Sequence, residues 1–334
     1  MKIVAFFNNQ GGVGTTTLVY HLAWMFAERA VSVLAVDLDP QANLTSMFLD
    51  DERLEQLWPK GRHPETIQGV VDPMLRGTGD ISPPHVEPIT RRIGLLAGDL
   101  ALSAFEDKLS DAWPRCHNGD EAAFRVMTAF YRASLVAAAE READLILFDV
   151  GPNLGATNRS ALIASEHVVI PLASDLFSLQ GIRNLGPQLH TWRQAWGDVR
   201  GKNPDPELPL PSGSMGPLGY VVMQHAIRAD RPARAYSRWM ERIPGEYQES
   251  VLRSSSQEVP DRARDPNCLA TLKHYRSLMP LAMESRKPMF FLKPADGAIG
   301  AHVEAVRDCY RDFDNLAQNI ARKCGLELPQ LAWT

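Results

Sequence analysis

The first forty residues constrain this chain more than any other stretch. Ile3 to Phe7 is an unbroken apolar run, a glycine-rich turn with Gly11, Gly12 and Gly14 ends it, and Leu18, Leu22, Met25 and Phe26 then recur at helical spacing as far as Arg29. Val31-Ser32-Val33-Leu34-Ala35-Val36 is a second apolar run, ending at Asp37. A strand, a glycine-rich turn, a helix and a second strand make a βαβ unit. Strands that are apolar on both faces call for a parallel sheet covered on both sides.

The rest of the chain repeats the alternation. Strands are expected at Ile93 to Ala97, Leu145 to Asp149, Val168 to Pro171 and Leu218 to Met223; helices at Glu121 to Arg141, Thr157 to Ala164 and Leu179 to Trp196. This predicts an α/β fold with a mostly parallel central sheet and helices on both faces. A single domain spanning residues 1–334 is expected, with insertions near 50–88 and 202–217. The first is rich in charge, glycine and proline, with short helices around Leu54 to Trp58 and Thr66 to Leu75; the second reads as a surface loop. Pro232 to Arg253 reads as helical. Ala298 to Lys323 reads as a long terminal helix with Val303, Val306, Tyr310, Phe313, Leu316 and Ile320 inward.

Composition narrows the function classes. A net charge of -5 advertises no global attraction to nucleic acid, so any DNA contact would need a local patch. Cys116, Cys268, Cys309 and Cys324 are widely spaced, which disfavours a zinc site or a disulfide framework. The apolar start stops at Asn8-Asn9, far short of the ~20 residues that span a bilayer, and no later stretch reaches that length without a charge or proline. A cytoplasmic location is expected, and the short, non-basic tail disfavours a membrane anchor.

Free backbone N–H groups at a helix N-terminus, with the helix dipole behind them, favour an anion. The glycines let Gln10-Gly11-Gly12-Val13-Gly14-Thr15-Thr16-Thr17 curl around a phosphate, and the Thr16 hydroxyl is placed to ligate Mg²⁺. A tight strand-to-helix turn would use the same residues. So would a nicotinamide-binding turn with Asp37 about twenty residues on, although Thr17 then replaces its third glycine.

Further motifs separate these readings. The loop, followed by Asp37-Leu38-Asp39-Pro40-Gln41-Ala42-Asn43-Leu44-Thr45, then Leu145-Ile146-Leu147-Phe148-Asp149-Val150-Gly151-Pro152, then Ser277 to Ser285 with Lys287-Pro288, resembles the deviant Walker A P-loop ATPases ParA, Soj and MinD. That resemblance implies a P-loop NTPase fold, bound ATP or ADP with Mg²⁺, and an ATPase that dimerises on ATP. Such a dimer binds nonspecific DNA or a membrane and is released by a stimulating partner, which positions plasmids, chromosomes or protein complexes. It implies Asp39 as the catalytic acid that positions or activates water, and Asp37 and Asp149, with Thr16, as metal-holding residues. Gln224 and Pro280 become candidates for the adenine pocket, although a polar strand end and a turn proline explain them equally well.

Two positions depart from the family pattern. Gln10 stands where the family has its signature lysine, and Thr15 where the ordinary P-loop lysine holds the β- and γ-phosphates. A hydrogen bond to a charged group contributes roughly 1.5–3 kcal/mol, so losing the Thr15-position lysine alone should weaken binding about ten- to a hundredfold. Hydrolysis should suffer more, because preorganised cations act most strongly on the transition state. Three origins are open: an engineered inactive variant, favoured because everything around the loop fits an active member; a natural pseudo-ATPase; or an ATPase borrowing a cation from Lys60, Arg183 or a partner subunit. A non-catalytic protein-binding scaffold is the remaining alternative. For DNA, the candidate contacts are Arg262, Arg264, Lys273, His274 and Arg276, and on the last helix Arg307, Arg311, Arg322 and Lys323; a merely solvated charged face is the competing reading.

Overall fold

The computed structural model describes residues 1–223, 238–254, 264–275 and 277–329. Eight strands form one sheet: β1 (Lys2–Phe6), β2 (Val33–Asp37), β3 (Glu87–Pro88), β4 (Ile93–Leu96), β5 (Leu145–Asp149), β6 (His167–Ala173), β7 (Gly216–Met223) and β8 (Cys268–Leu272). Their order is β3-β4-β2-β5-β1-β6-β7-β8. Every neighbouring pair is parallel except β3 with β4.

The period of two along each strand divides its apolar residues between two cores. Ile3, Ala5, Leu34, Val36, Ile146 and Phe148 enter one; Val4, Phe6, Val33, Ala35, Leu145 and Leu147 enter the other. The second core is roofed by helix α1 (Thr15–Glu28) and by the terminal helix Ala301–Cys324, whose Phe313, Leu316 and Ile320 are buried. Val303, expected to face inward, is exposed; the packed stripe begins at the partly buried Ala305 and Val306.

The first insertion holds the two short helices its pattern predicts: α2 (Asn43–Phe48) leads into α3 (Asp51–Leu57), and α4 (Ile67–Arg76) follows. Asp50 starts α3 by accepting the Arg53 N–H at 2.8 Å. A 3₁₀ turn at Leu100–Ala104 and helix α5 (Phe105–Cys116), both unforeseen, pack with α4 in the first core. The long helix expected at Glu121 to Arg141 is two, α6 (Glu121–Met127) and α7 (Ala129–Glu140), broken at Thr128, whose hydroxyl donates to the Phe124 carbonyl at 2.8 Å. Next come α8 (Ala156–Ala164) and α9 (Leu176–Arg200). The loop at 202–217 packs down through buried Leu208 and Met215, and Trp196 Nε1 donates to the Pro211 carbonyl at 3.0 Å. Of the helix expected at Pro232 to Arg253, residues 232–237 lie outside the described residues, and Ile243–Glu246 and Tyr247–Val251 are helical turns. Cys116, Cys309 and Cys324 are buried free thiols and Cys268 is a half-buried one. Among the described residues no helix is long and apolar enough to cross a membrane.

Candidate phosphate and metal site

The parallel sheet delivers its acids to one edge. β2 and β5 run side by side with Asp37 opposite Asp149, so two carboxyls meet at the C-terminal ends of adjacent strands. Both are fully buried. Asp37 is well supplied: its Oδ2 accepts the Thr45 N–H at 2.8 Å and the Thr45 hydroxyl at 2.7 Å, and its Oδ1 accepts the Asp39 N–H at 3.3 Å. Burial nevertheless pushes its pKa up to about 7, against the downward pull of those bonds and with a further push from Asp39. Burial, and Asp37 beside it, hold the Asp149 carboxyl well above the usual range, with the Thr16 hydroxyl near enough to pull it back. Neither Asp149 oxygen has a hydrogen-bond partner of full geometry.

A buried carboxylate pair with orphaned oxygens is costly unless a cation or proton joins it. Hard oxygen ligands of this kind, beside a threonine hydroxyl, suit Mg²⁺. Thr16, Asp37 and Asp149 therefore fit the implied metal.

The glycine loop sits in front of this pair. Gly12 (φ +76) and Gly14 (φ +87) occupy the left-handed region that favours glycine, and a Cβ on Gly14 would lie 3.2 Å from the end of Met223. No side chain caps α1, which leaves first-turn N–H groups beside the cavity that Gly14, Thr15, Thr16 and Thr17 line. Asp39, nearly buried, joins them there; its Oδ1 accepts the Gln41 N–H at 3.0 Å, and a Cβ on Gly151 would come within 3.1 Å of the same oxygen. Val13 is buried beneath the loop and does not line the cavity.

The cavity encloses about 620 Å³ and extends from Gln10, Gly11 and Gly12 along α1 to Tyr20 and His21. Its far wall is Met47 of α2 with Met279, Met283, Arg286 and Lys287 from the helix Leu278–Ser285 and its end. A smaller neighbour of about 140 Å³ lies between Gly14, Thr17, Met223, Leu272, Tyr275 and Met279. Pro280 is exposed and lines neither cavity; Met279 beside it lines both. Gln224 lies outside the described residues.

The two lysine-replacing residues differ in what they do. Thr15 opens α1 and lines the cavity. The Gln10 side chain turns to its own chain: its Oε1 accepts the Ser178 hydroxyl at 2.9 Å, and that hydroxyl in turn accepts the Ala173 N–H at 2.9 Å. Neither predicted substitute cation reaches the cavity. Arg183 is ion-paired with Glu246, and Lys60 lies elsewhere on the surface. Among the described residues lining the larger cavity the cations are Arg286 and Lys287, which sequence reasoning missed.

The predicted basic runs are largely engaged within the chain. Lys273 and Arg311 both pair with Asp308, Arg322 donates to Asn319 at 2.9 Å, and Lys323 is half-buried with its Nζ on the Leu218 carbonyl at 2.7 Å. Arg264, His274 and Arg307 are exposed, and Arg262 and Arg276 lie outside the described residues.

The profile of the family described as AAA domain matches residues 1–198. Protein IncC of Escherichia coli is 28% identical over 195 residues, 58% of this chain and 47% of its own. The chromosome-partitioning ATPase Soj of Thermus thermophilus is 30% identical over 191 residues, 55% of this chain and 60% of its own. The match thus spans roughly half of these relatives' length. Protein DIP2308 from Corynebacterium diphtheriae shares the fold with a TM-score of 0.68 and 24% identity, over 97% of this chain and 99% of its own. The pnob8 ParA structure does so with a TM-score of 0.61 and 18% identity, over 96% and 98%. A Borrelia burgdorferi plasmid partition structure bound to AMPPNP has a TM-score of 0.55 at 18% identity, over 96% and 98%. With more than half of its length matched, and with this sheet and loop, the chain belongs to the ParA-like P-loop ATPases of the AAA domain family.

Proposed function

We propose that this protein is a nucleotide-binding positioning switch of the ParA type whose hydrolysis is impaired. The observation that carries the reading is the placement of an uncapped glycine loop in front of the buried Asp37 and Asp149 carboxyls, with no lysine at position 10 or 15. Backbone N–H groups of residues 11 to 17 bind the phosphates, and Thr16, Asp37 and Asp149 hold the metal. Mg²⁺, when bound, neutralises phosphate charge. Asp39 orients the attacking water from the cavity wall, and the loop itself brings no lysine to stabilise the transition state.

By analogy with the partition relatives, the nucleotide-bound chain pairs with a second copy, engages nonspecific DNA and answers to a stimulating protein. The intrachain bond of Gln10 favours a weakened form of that cycle, in which nucleotide binds and turnover is slow. A thermal-shift series tests the reading: MgATP and MgADP should each raise the melting temperature, because a ligand of the native state stabilises it. No shift with either at millimolar concentration would leave a non-catalytic scaffold as the better description.

A further inference from the structure

The phosphate loop brings no cation to its ligand, so the charge must come from the opposite wall or be absent. We infer that Arg286 supplies it, acting as the cis counter-charge for the phosphate chain of a bound nucleoside di- or triphosphate; this rests on the nucleotide-binding reading above. Arg286 and Lys287 are the cations among the described residues lining the cavity that Thr15 and Thr16 also line. They are not equivalent. Lys287 Nζ donates to Asp296 Oδ1 at 2.7 Å, and this bond holds the Asp296 carboxyl below its usual range, so the lysine charge is largely spoken for.

Arg286 is held differently. One guanidinium nitrogen donates to the neutral Leu49 carbonyl, and the other to Asp51 Oδ1 at 3.0 Å. The Asp51 side chain is 92% exposed, so this pair is screened by water and contributes little. A guanidinium has five N–H donors, so donors remain beyond these two bonds on a side chain that lines the cavity.

Arg286 ends the helix Leu278–Ser285 in the left-handed region, φ 50 and ψ 43, where glycine or asparagine is the favoured cap. That turn sets the Arg286 side chain at the end of the helix, on the cavity wall. Its charge also reaches Tyr20, which lies one helical turn beyond Thr16 on α1 and lines the same space: burial pushes the Tyr20 hydroxyl up to about 12, and Arg286 pulls against that rise.

The test is a titration of the full chain with MgATP by calorimetry, at low and high NaCl. Arg286→Gln should weaken binding at least about tenfold and flatten its salt dependence, while Arg286→Lys stays within about threefold of the parent. Thr15→Lys added to Arg286→Gln should restore most of the loss. Asp51→Asn removes only the surface partner and should leave affinity undiminished. Unchanged affinity in Arg286→Gln, or an equal loss in Asp51→Asn, would overturn the assignment and make Arg286 a structural tie. Failure of the parent chain to bind MgATP at all would instead overturn the nucleotide reading, and this inference with it.

Discussion

The Gln10 side-chain carbonyl accepts the Ser178 hydroxyl at 2.9 Å, tying the phosphate loop to the start of α9 in the same chain. The tie is built into a larger junction: Asn8 Nδ2 donates to the Pro171 carbonyl at 2.7 Å, and Asn8 Oδ1 accepts the Gln10 N–H at 3.0 Å. A residue at the position where the resembled family carries a lysine toward its partner is thus spent on local order.

Removing either end of this tie should loosen the loop. Ser178→Ala leaves the buried Ala173 N–H without its acceptor and should cost about 1–2 kcal/mol in urea denaturation, with Gln10→Ala costing less. The double variant should fall short of the sum by about 0.5 kcal/mol or more. Strict additivity would show that the two side chains do not act together.

Asp149 yields an opposite expectation. A carboxyl whose pKa is raised on folding is protonated in the native state while the unfolded chain ionises, so it weakens the fold as pH climbs above its ordinary value. Asp149→Asn should therefore melt higher than the parent without metal, more so at pH 8 than at pH 5, and should lose the extra stabilisation that Mg²⁺ adds to ATP. A variant that melts lower at pH 8 yet keeps the Mg²⁺ effect would remove Asp149 from the metal site.

His21 titrates in the other direction. It is fully buried, its Nε2 accepts the Met289 N–H at 3.1 Å, its Nδ1 lies 2.7 Å from the Thr17 carbonyl, and burial pushes its pKa down to about 4 from an ordinary 6.5. The unfolded chain gains a proton first, so stability should fall as pH drops from 6.5 to 4, by roughly 3 kcal/mol in all. His21→Phe, which can keep the stacking on Phe313, should lose that slope in urea titrations at several pH values. Parallel slopes in the two proteins would show that other groups govern the acid limb.

Legibility in the sequence followed the range of the interactions. β1, β2 and β5 are marked by continuous apolar runs ended by glycine or aspartate, because both faces are buried and the strand end meets the site. Helix α5 was missed, since Asp107, Lys108 and Asp111 dilute its apolar stripe and Pro114 sits inside it. The two-residue β3 and the half-buried β8 are too weakly patterned to register. In the site, the loop and the Asp37 and Asp39 spacing are local and readable. Arg286 carries no such mark: it meets Leu49 across 237 positions and Asp51 across 235, a meeting that only the folded sheet creates. Lys60 and Arg183 were plausible substitutes by charge alone, and the Arg183 pairing with Glu246 on a neighbouring turn removes the latter.

In the proposed switch the loop holds nucleotide but brings no lysine of its own to turn it over. Phosphate release under saturating MgATP, compared among the parent, Thr15→Lys and the Gln10→Lys/Thr15→Lys pair, tests it most directly. Near-background release is expected from the parent, a rise of about tenfold or more with Thr15→Lys and the highest rate in the pair. Brisk turnover by the parent, or no rise when both lysines are supplied, would contradict it.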